Sequence, residues 1–260
     1  MDNNPKSMIH FGVRLRPGQL GPIMTREKYA PINNKVTGGK RMKEYDDLKR
    51  NRGIAVDRTS IYDEFEGVKY QVYADEAGLF YTDEWCEMNQ KRCLINYDLN
   101  IEYFASLDRE DFEEEIKEFK IKYKSFIEID DLNEYESTSG YYVMVLGEYK
   151  QVYVGTSNNI KRRILQHWSK KKEFDRLLWP IGNRGIYVSR ISIDSFRAQD
   201  TTKIFVFPTK TYLSSSLNEE EDIKNFFSDE FVVNRIMGGP MDTPAARLEA
   251  IVTTKNRKLK

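Results

Sequence analysis

Four residues in the second half of the chain have types and spacings that could do chemistry. Tyr142 and Tyr153 stand eleven positions apart, each within an apolar run, and Arg163 and His167 follow four apart. If the segment between the tyrosines is a hairpin, their rings approach each other across paired strands. If the next segment is a helix, Arg163 and His167 share one of its faces. The guanidinium presents a planar fork of donors that matches phosphate oxygens. Taken singly, each feature has an ordinary explanation. Tyrosines on hairpins are usually core residues, and an Arg–His pair one turn apart is usually a solvated helix face. Their joint occurrence is what invites a chemical reading.

Histidine ligation of a metal is excluded as a main theme, because His10 and His167 are the only histidines. The two cysteines, Cys86 and Cys93, form no zinc-ligand set and no disulfide framework, and are expected to be incidental to chemistry. A metal here would have to come through a carboxylate, and a hard oxygen ligand points to Mg²⁺ or Mn²⁺.

The elements that must position these groups can be traced in the sequence. Tyr141–Leu146 reads as a strand, Gly147–Lys150 as a turn and Gln151–Val154 as a second strand, closed by Gly155. Ser157 or Asn158 is then suited to cap a helix whose apolar face carries Ile160, Ile164, Leu165 and Trp168. Gly185–Ile193 and Lys203–Phe207 read as further strands, the latter limited by Pro208. A last helix starts near Ser214–Ser216 and ends about Phe227. This order predicts an α+β fold with a small sheet.

Upstream, residues 1–60 are rich in Gly, Pro, Asn, Lys and Arg. Asn33–Gly39 reads as a loop, and Lys40–Asn51 as a short basic helix. Val68–Tyr73, Gly78–Tyr81 and Cys93–Tyr97 read as short strands. Asp108 is placed to cap a helix carrying Phe112, Ile116, Phe119 and Tyr123 at helical spacing. The acidic stretch Ile127–Ser139 is taken as a junction. It divides the chain into an N-terminal α+β recognition or dimerisation region with a basic arm (1–136) and a C-terminal domain (137–260).

The 41 basic and 41 acidic residues cancel, which by itself speaks against a polyanion binder. The charge is segregated, however. Asp108–Glu136 is acidic, while Lys35–Arg58, Lys161–Arg176 and Lys255–Lys260 are basic, and local patches set the field a phosphate meets. No apolar run reaches the roughly 20 residues of a membrane helix, and the first residues lack a signal-peptide pattern, so a cytoplasmic protein is expected.

The string Gly140-Tyr141-Tyr142, then Tyr153-Val154-Gly155, then Thr156 to His167 with Arg163 eight positions after Gly155, resembles the GIY-YIG nuclease superfamily. Tyr141 and Val154 stand where the naming consensus has Ile. The resemblance begins at Gly140 and covers nothing before it, and it implies a small, mainly antiparallel three-stranded sheet flanked by helices. It implies one-metal hydrolysis of a phosphodiester, with Tyr142, Tyr153, Arg163 and His167 at the reacting centre and one Mg²⁺ or Mn²⁺ per site on a glutamate of the last helix. Glu219 is the first choice, because Ile223 and Phe226 fall on its helical face. Glu220 is the second, and Glu221 completes the candidates. Asn234 matches the polar residue that the family places behind its glutamate.

Lys161, Arg162, Lys170, Lys171 and Lys172 would meet the DNA backbone. Lys40 and Arg41 belong either to an arm lying in a groove or to an ordinary surface loop. The resemblance implies double-stranded DNA as substrate, cut by a site-specific restriction-type endonuclease working as a homodimer. A structure-specific or nonspecific nuclease of a repair, mobile-element or anti-phage role is the alternative, and a catalytically degenerate DNA- or protein-binding module is the third reading.

Overall fold

The computed structural model describes residues 7–16, 23–36, 47, 50, 52–53, 57–169, 172–177, 191–209 and 216–234. Its elements in chain order are β1 (Met8–His10), β2 (Val13–Leu15), α1 (Arg26–Tyr29), β3 (Tyr62–Phe65), β4 (Val68–Gln71), α2 (Asp83–Ser106), α3 (Arg109–Lys122), β5 (Ile127–Ile129), β6 (Ser139–Leu146), β7 (Gln151–Ser157), α4 (Ile160–Ser169), β8 (Lys203–Thr209) and α5 (Ser216–Lys224). The fold is α+β. β1–β2 and β3–β4 are isolated antiparallel pairs, and the main sheet has the order β5-β8-β6-β7. Among the described residues no helix is long and apolar enough to cross a membrane.

The main sheet is antiparallel throughout but has four strands, not the three expected. The additional strand, β5, comes from the acidic stretch read as a junction. Ile127 pairs with Val206 and Ile129 with Ile204, covering the edge that β8 would otherwise leave open. Only three residues pair, and acidic neighbours surround them, so no strand pattern shows in the sequence. β6 pairs with β7 on one side and β8 on the other. Its residues from Tyr141 to Leu146 are all buried, which explains why this strand reads as an unbroken apolar run rather than an alternation. β8 continues through Pro208, which lies opposite Gly140 and beyond the three residues that pair with β5, so its missing N–H costs no ladder bond there.

Cys93–Tyr97, read as a strand, lies in the middle of the 24-residue helix α2. Nearly half of the buried face of α2 is polar. Asn89, Arg92, Asn96 and Asn100 recur one turn apart, with Trp85, Cys93 and Phe104 among them. An apolar-periodicity reading cannot see such a face. Several of its polar groups are paired within the protein. Arg92 forms a bidentate pair with Asp63 at 2.8 and 3.3 Å, and Asn96 donates to the Tyr29 hydroxyl at 3.0 Å. Burial pushes the Cys86 thiol up to about 11 and that of Cys93 to about 12, so neither is a nucleophile at neutral pH.

Asn33–Val36, the first part of the segment read as a loop, pairs with residues 79–81. Lys40–Asn51 falls almost wholly outside the described residues, as does most of Gly185–Ile193. The end of the latter is a 3-10 turn, Ile193–Ser195.

Helix α3 is capped by Asp108, whose carboxylate accepts from the Glu110 and Asp111 amides. Its Phe112, Ile116 and Phe119 enter a core that runs from Leu15 to Val233 and therefore crosses position 137. Phe119 is fully buried. Its ring meets Phe126, Phe205 and Phe227 at 5.1, 5.6 and 5.1 Å between centroids, tying α3 to β8 and to the segment after α5. Truncating it removes several edge-to-face contacts at once. Phe119→Ala should lower unfolding free energy by about 3–5 kcal/mol, measured by urea denaturation, against under about 1 kcal/mol for the exposed neighbour Ile121→Ala.

Candidate active site

The register of the β6–β7 hairpin places Tyr142 opposite Gly155 and Met144 opposite Tyr153. Tyr142 and Tyr153 are thus diagonal neighbours on one face, with ring centroids 6.1 Å apart. The Tyr142 ring lies over Gly155. A Cβ there would come within 2.5 Å of the Tyr142 Cζ and Oη and 2.9 Å of a Tyr153 ring carbon. The glycine is therefore a matter of space, since it lets a whole phenol lie flat against the neighbouring strand.

Helix α4 delivers the two cationic candidates. Asn159 caps it, its side-chain oxygen accepting from the Arg162 amide at 2.9 Å, while Ser157 braces Asn159. The cap is one residue later than the Asn158 end of the expected range. Ile160, Ile164, His167 and Trp168 face inward. His167 Nε2 lies 2.9 Å from the Tyr142 hydroxyl, and its ring stands edge-on to Tyr153 at 4.9 Å. Arg163, one turn earlier, is exposed; its guanidinium acts on both phenols as a nearby cation and reaches Gln166 at 3.5 Å. Burial holds the Tyr142 phenol far above the usual tyrosine range; Tyr153 adds to this and Arg163 opposes it. At rest Tyr142 is therefore a neutral hydroxyl with its proton already shared with a protein partner.

Sequence reasoning missed Asp194. Its carboxylate lies 2.9 Å from His167 Nδ1, completing a chain from Tyr142 through His167 to Asp194. It sits in the turn Ile193–Ser195, where Ser192 accepts from the Asp194 amide and Ile193 and Phe196 are buried on either side. A Ser-x-Asp stretch between apolar residues is a legible capping signal, but it fell at the end of an expected strand.

The glutamates on α5 sort by rotation. Ile223, Lys224 and Phe227 are buried, so the inward stripe continues back to Glu220, not Glu219. Glu219 is exposed. The Glu220 side chain is only 14% exposed, and burial raises its carboxyl above the usual range, with Lys224 opposing, Glu221 reinforcing and Arg163 opposing. Glu220 in turn acts on the Tyr153 phenol. The second choice is thus the glutamate that faces the cluster. Taking Phe226, which is only half-buried, as part of the inward stripe displaced the first choice by one position.

Asn234 does not point at the cluster's reacting atoms. Its amide pairs in two directions with the backbone of Val154, accepting from N at 3.1 Å and donating to O at 2.6 Å. With the Val152–Val232 bridge, it straps the segment after α5 onto the outer edge of β7. Lys161 pairs with Glu136 at 2.9 Å, Arg162 is exposed and reaches Asn158, and Lys172 is half-buried. Lys40, Arg41, Lys170 and Lys171 lie outside the described residues. No family model, no curated protein and no solved structure matches the chain.

Gly155→Ala tests the geometry directly. The extended backbone at this site accepts alanine, but the Tyr142 ring, enclosed and hydrogen-bonded, must move. Overall stability should fall by about 1–3 kcal/mol. The His167 side-chain NMR signals should shift as the 2.9 Å contact is lost. Unchanged imidazole shifts would show that the ring tolerates the methyl group.

Proposed function

We propose that this chain is a divalent-metal-dependent endonuclease of the GIY-YIG kind, hydrolysing phosphodiester bonds in double-stranded DNA. The observation that carries the reading is the convergence of Tyr142, Tyr153, Arg163, His167 and Glu220. These come from two strands and two helices to one half-buried cluster.

The residues fit a hard divalent cation. Glu220 is a carboxylate whose charge is disfavoured by burial and incompletely offset by Lys224, 3.9 Å away. Among the described residues no three His, Cys, Asp or Glu gather as a ligand set. A cation held by one carboxylate keeps most of its water, as Mg²⁺ does. When bound, Mg²⁺ or Mn²⁺ supplies Lewis-acid stabilisation of charge on the phosphate and the leaving oxygen.

The chain's own groups do the rest. An attacking water gives a proton to the Tyr142 oxygen as the phenolic proton passes to His167 Nε2. The hydroxide so formed bonds to phosphorus, the bond to the leaving oxygen breaks, and that oxygen is protonated from solvent. Tyr153 orients the water or the phosphate. The solvent-facing guanidinium of Arg163 meets the phosphoryl oxygens as their charge grows. Cutting both strands with one such centre per chain calls for two copies, so the active form is proposed as a homodimer with restriction-type specificity supplied by surfaces outside the cluster.

Plasmid incubated with Mg²⁺ or Mn²⁺ tests this. Wild-type protein should yield discrete fragments. Tyr142→Phe and Glu220→Gln should each lower the rate at least about 100-fold, and Arg163→Ala about 100–1000-fold. Glu219→Gln should stay within a few-fold of wild type. A smear would favour the nonspecific nuclease, and equal inertness of wild type and variants on all DNA forms would overturn the proposal.

A further inference from the structure

The Tyr142–His167 contact leaves one question of chemistry open: which atom holds the proton. An imidazole nitrogen can donate to the phenol or accept from it, and only acceptance prepares Tyr142 to take a proton from water. The answer lies on the other side of the ring. His167 Nδ1 is 2.9 Å from a carboxylate oxygen of Asp194, which can only accept. The carboxylate therefore calls for a proton on Nδ1. His167 is 2% exposed, with the Arg163 cation one turn earlier on its helix and the Asp194 carboxylate at Nδ1; a single proton on Nδ1 meets the carboxylate and leaves Nε2 as an acceptor. Tyr142 on β6 and Tyr153 on β7, with ring centroids 6.2 and 4.9 Å from the imidazole, are phenols that burial holds above the usual tyrosine range. We propose that Asp194 is a positioning residue that fixes neutral His167 as its Nδ1–H tautomer, so that Nε2 accepts the Tyr142 hydroxyl.

The turn is built to hold this geometry. Asp194 is braced by Ser192, and the buried Ile193 and Phe196 anchor the backbone on both sides. Phe196 packs edge-on to Tyr149 at 5.1 Å, which ties the turn to the β6–β7 connection. When the phenolic proton moves to Nε2, the imidazolium formed keeps its Nδ1–H on Asp194, where the carboxylate offsets the new charge. The catalytic consequence rests on the proposed nuclease reaction; the tautomer does not.

The chain carries its own reference. His10, the other histidine, places Nε2 3.0 Å from the Thr201 carbonyl oxygen, an obligate acceptor, so neutral His10 must carry its proton on Nε2. The two histidines should thus show opposite tautomers in one ¹⁵N imidazole spectrum of the full-length protein at neutral pH. His167 should show a protonated Nδ1 and a bare Nε2, and His10 the reverse. In Asp194→Asn, the amide can turn its NH₂ toward Nδ1, and the His167 pattern should switch to Nε2–H while His10 stays unchanged. DNA cleavage by that variant should fall at least about 100-fold, with Asp194→Glu recovering part of the loss. A protonated Nε2 on wild-type His167, alone or together with Nδ1–H, would overturn the proposal, as would an Asp194→Asn variant with an unaltered His167 pattern. If wild type cuts no DNA, the nuclease reading fails while the spectrum still decides the tautomer. If wild type cuts and Asp194→Asn cuts equally fast, the positioning role is refuted.

Discussion

A phenol with no exposed surface cannot leave its hydroxyl unpaired, and the centre of this molecule is organised around meeting that demand for Tyr142. The ring is accommodated by the bare backbone of Gly155 on the neighbouring strand. The hydroxyl is met by His167 from α4, with the Arg163 cation on the preceding turn of the same helix. Each of these needs its own support. Asn159 starts α4 at the residue that brings Arg163 and His167 to the sheet, and Asp194 orients the imidazole from behind. One buried polar atom thus connects two strands, a helix and a turn distant in sequence. The same low-dielectric setting that makes an unpaired hydroxyl costly also strengthens the dipoles around it.

The glutamate side of the cluster is built by packing instead. Helix α5 has no strand register to fix it. Its rotation is set by Ile223 and Phe227 entering the aromatic group around Phe119, and by the downstream segment lying along β7. Lys224 is 2% exposed and bonds to Glu221 at 2.6 Å, so its charge sits beside Glu220 without fully neutralising it. A carboxylate is thus left partly uncompensated on a helix held by apolar contacts.

What the sequence made legible follows from which physical signals are local. The hairpin, α3 with its Asp108 cap, and α4 were readable because their apolar spacing and turn residues are contiguous. Tyr142, Tyr153, Arg163 and His167 were readable because spacing on known elements fixes their mutual placement. α2 was lost because nearly half of its inward face is asparagine and arginine, paired in part with Asp63 and Tyr29, residues far away in the chain. β5 was lost because three residues carry no period. Glu219 was preferred to Glu220 because one residue of helix rotation turns on whether Phe226 or Lys224 is buried, and a buried lysine is the less expected of the two. Asp194 was lost because its meaning depends on a histidine 27 positions earlier.

The strap on the outer edge of β7 bears on how copies of this protein can meet. A strand at the rim of a sheet ordinarily offers a free row of peptide groups to any extended chain that arrives. Here Val152 is already bridged to Val232, Val233 donates to the Val152 carbonyl at 2.9 Å, and the Asn234 amide mimics one more peptide unit against Val154. That rim is therefore closed to strand addition by a second molecule along Val152–Val154. A continuous sheet running through two protomers cannot form along those residues.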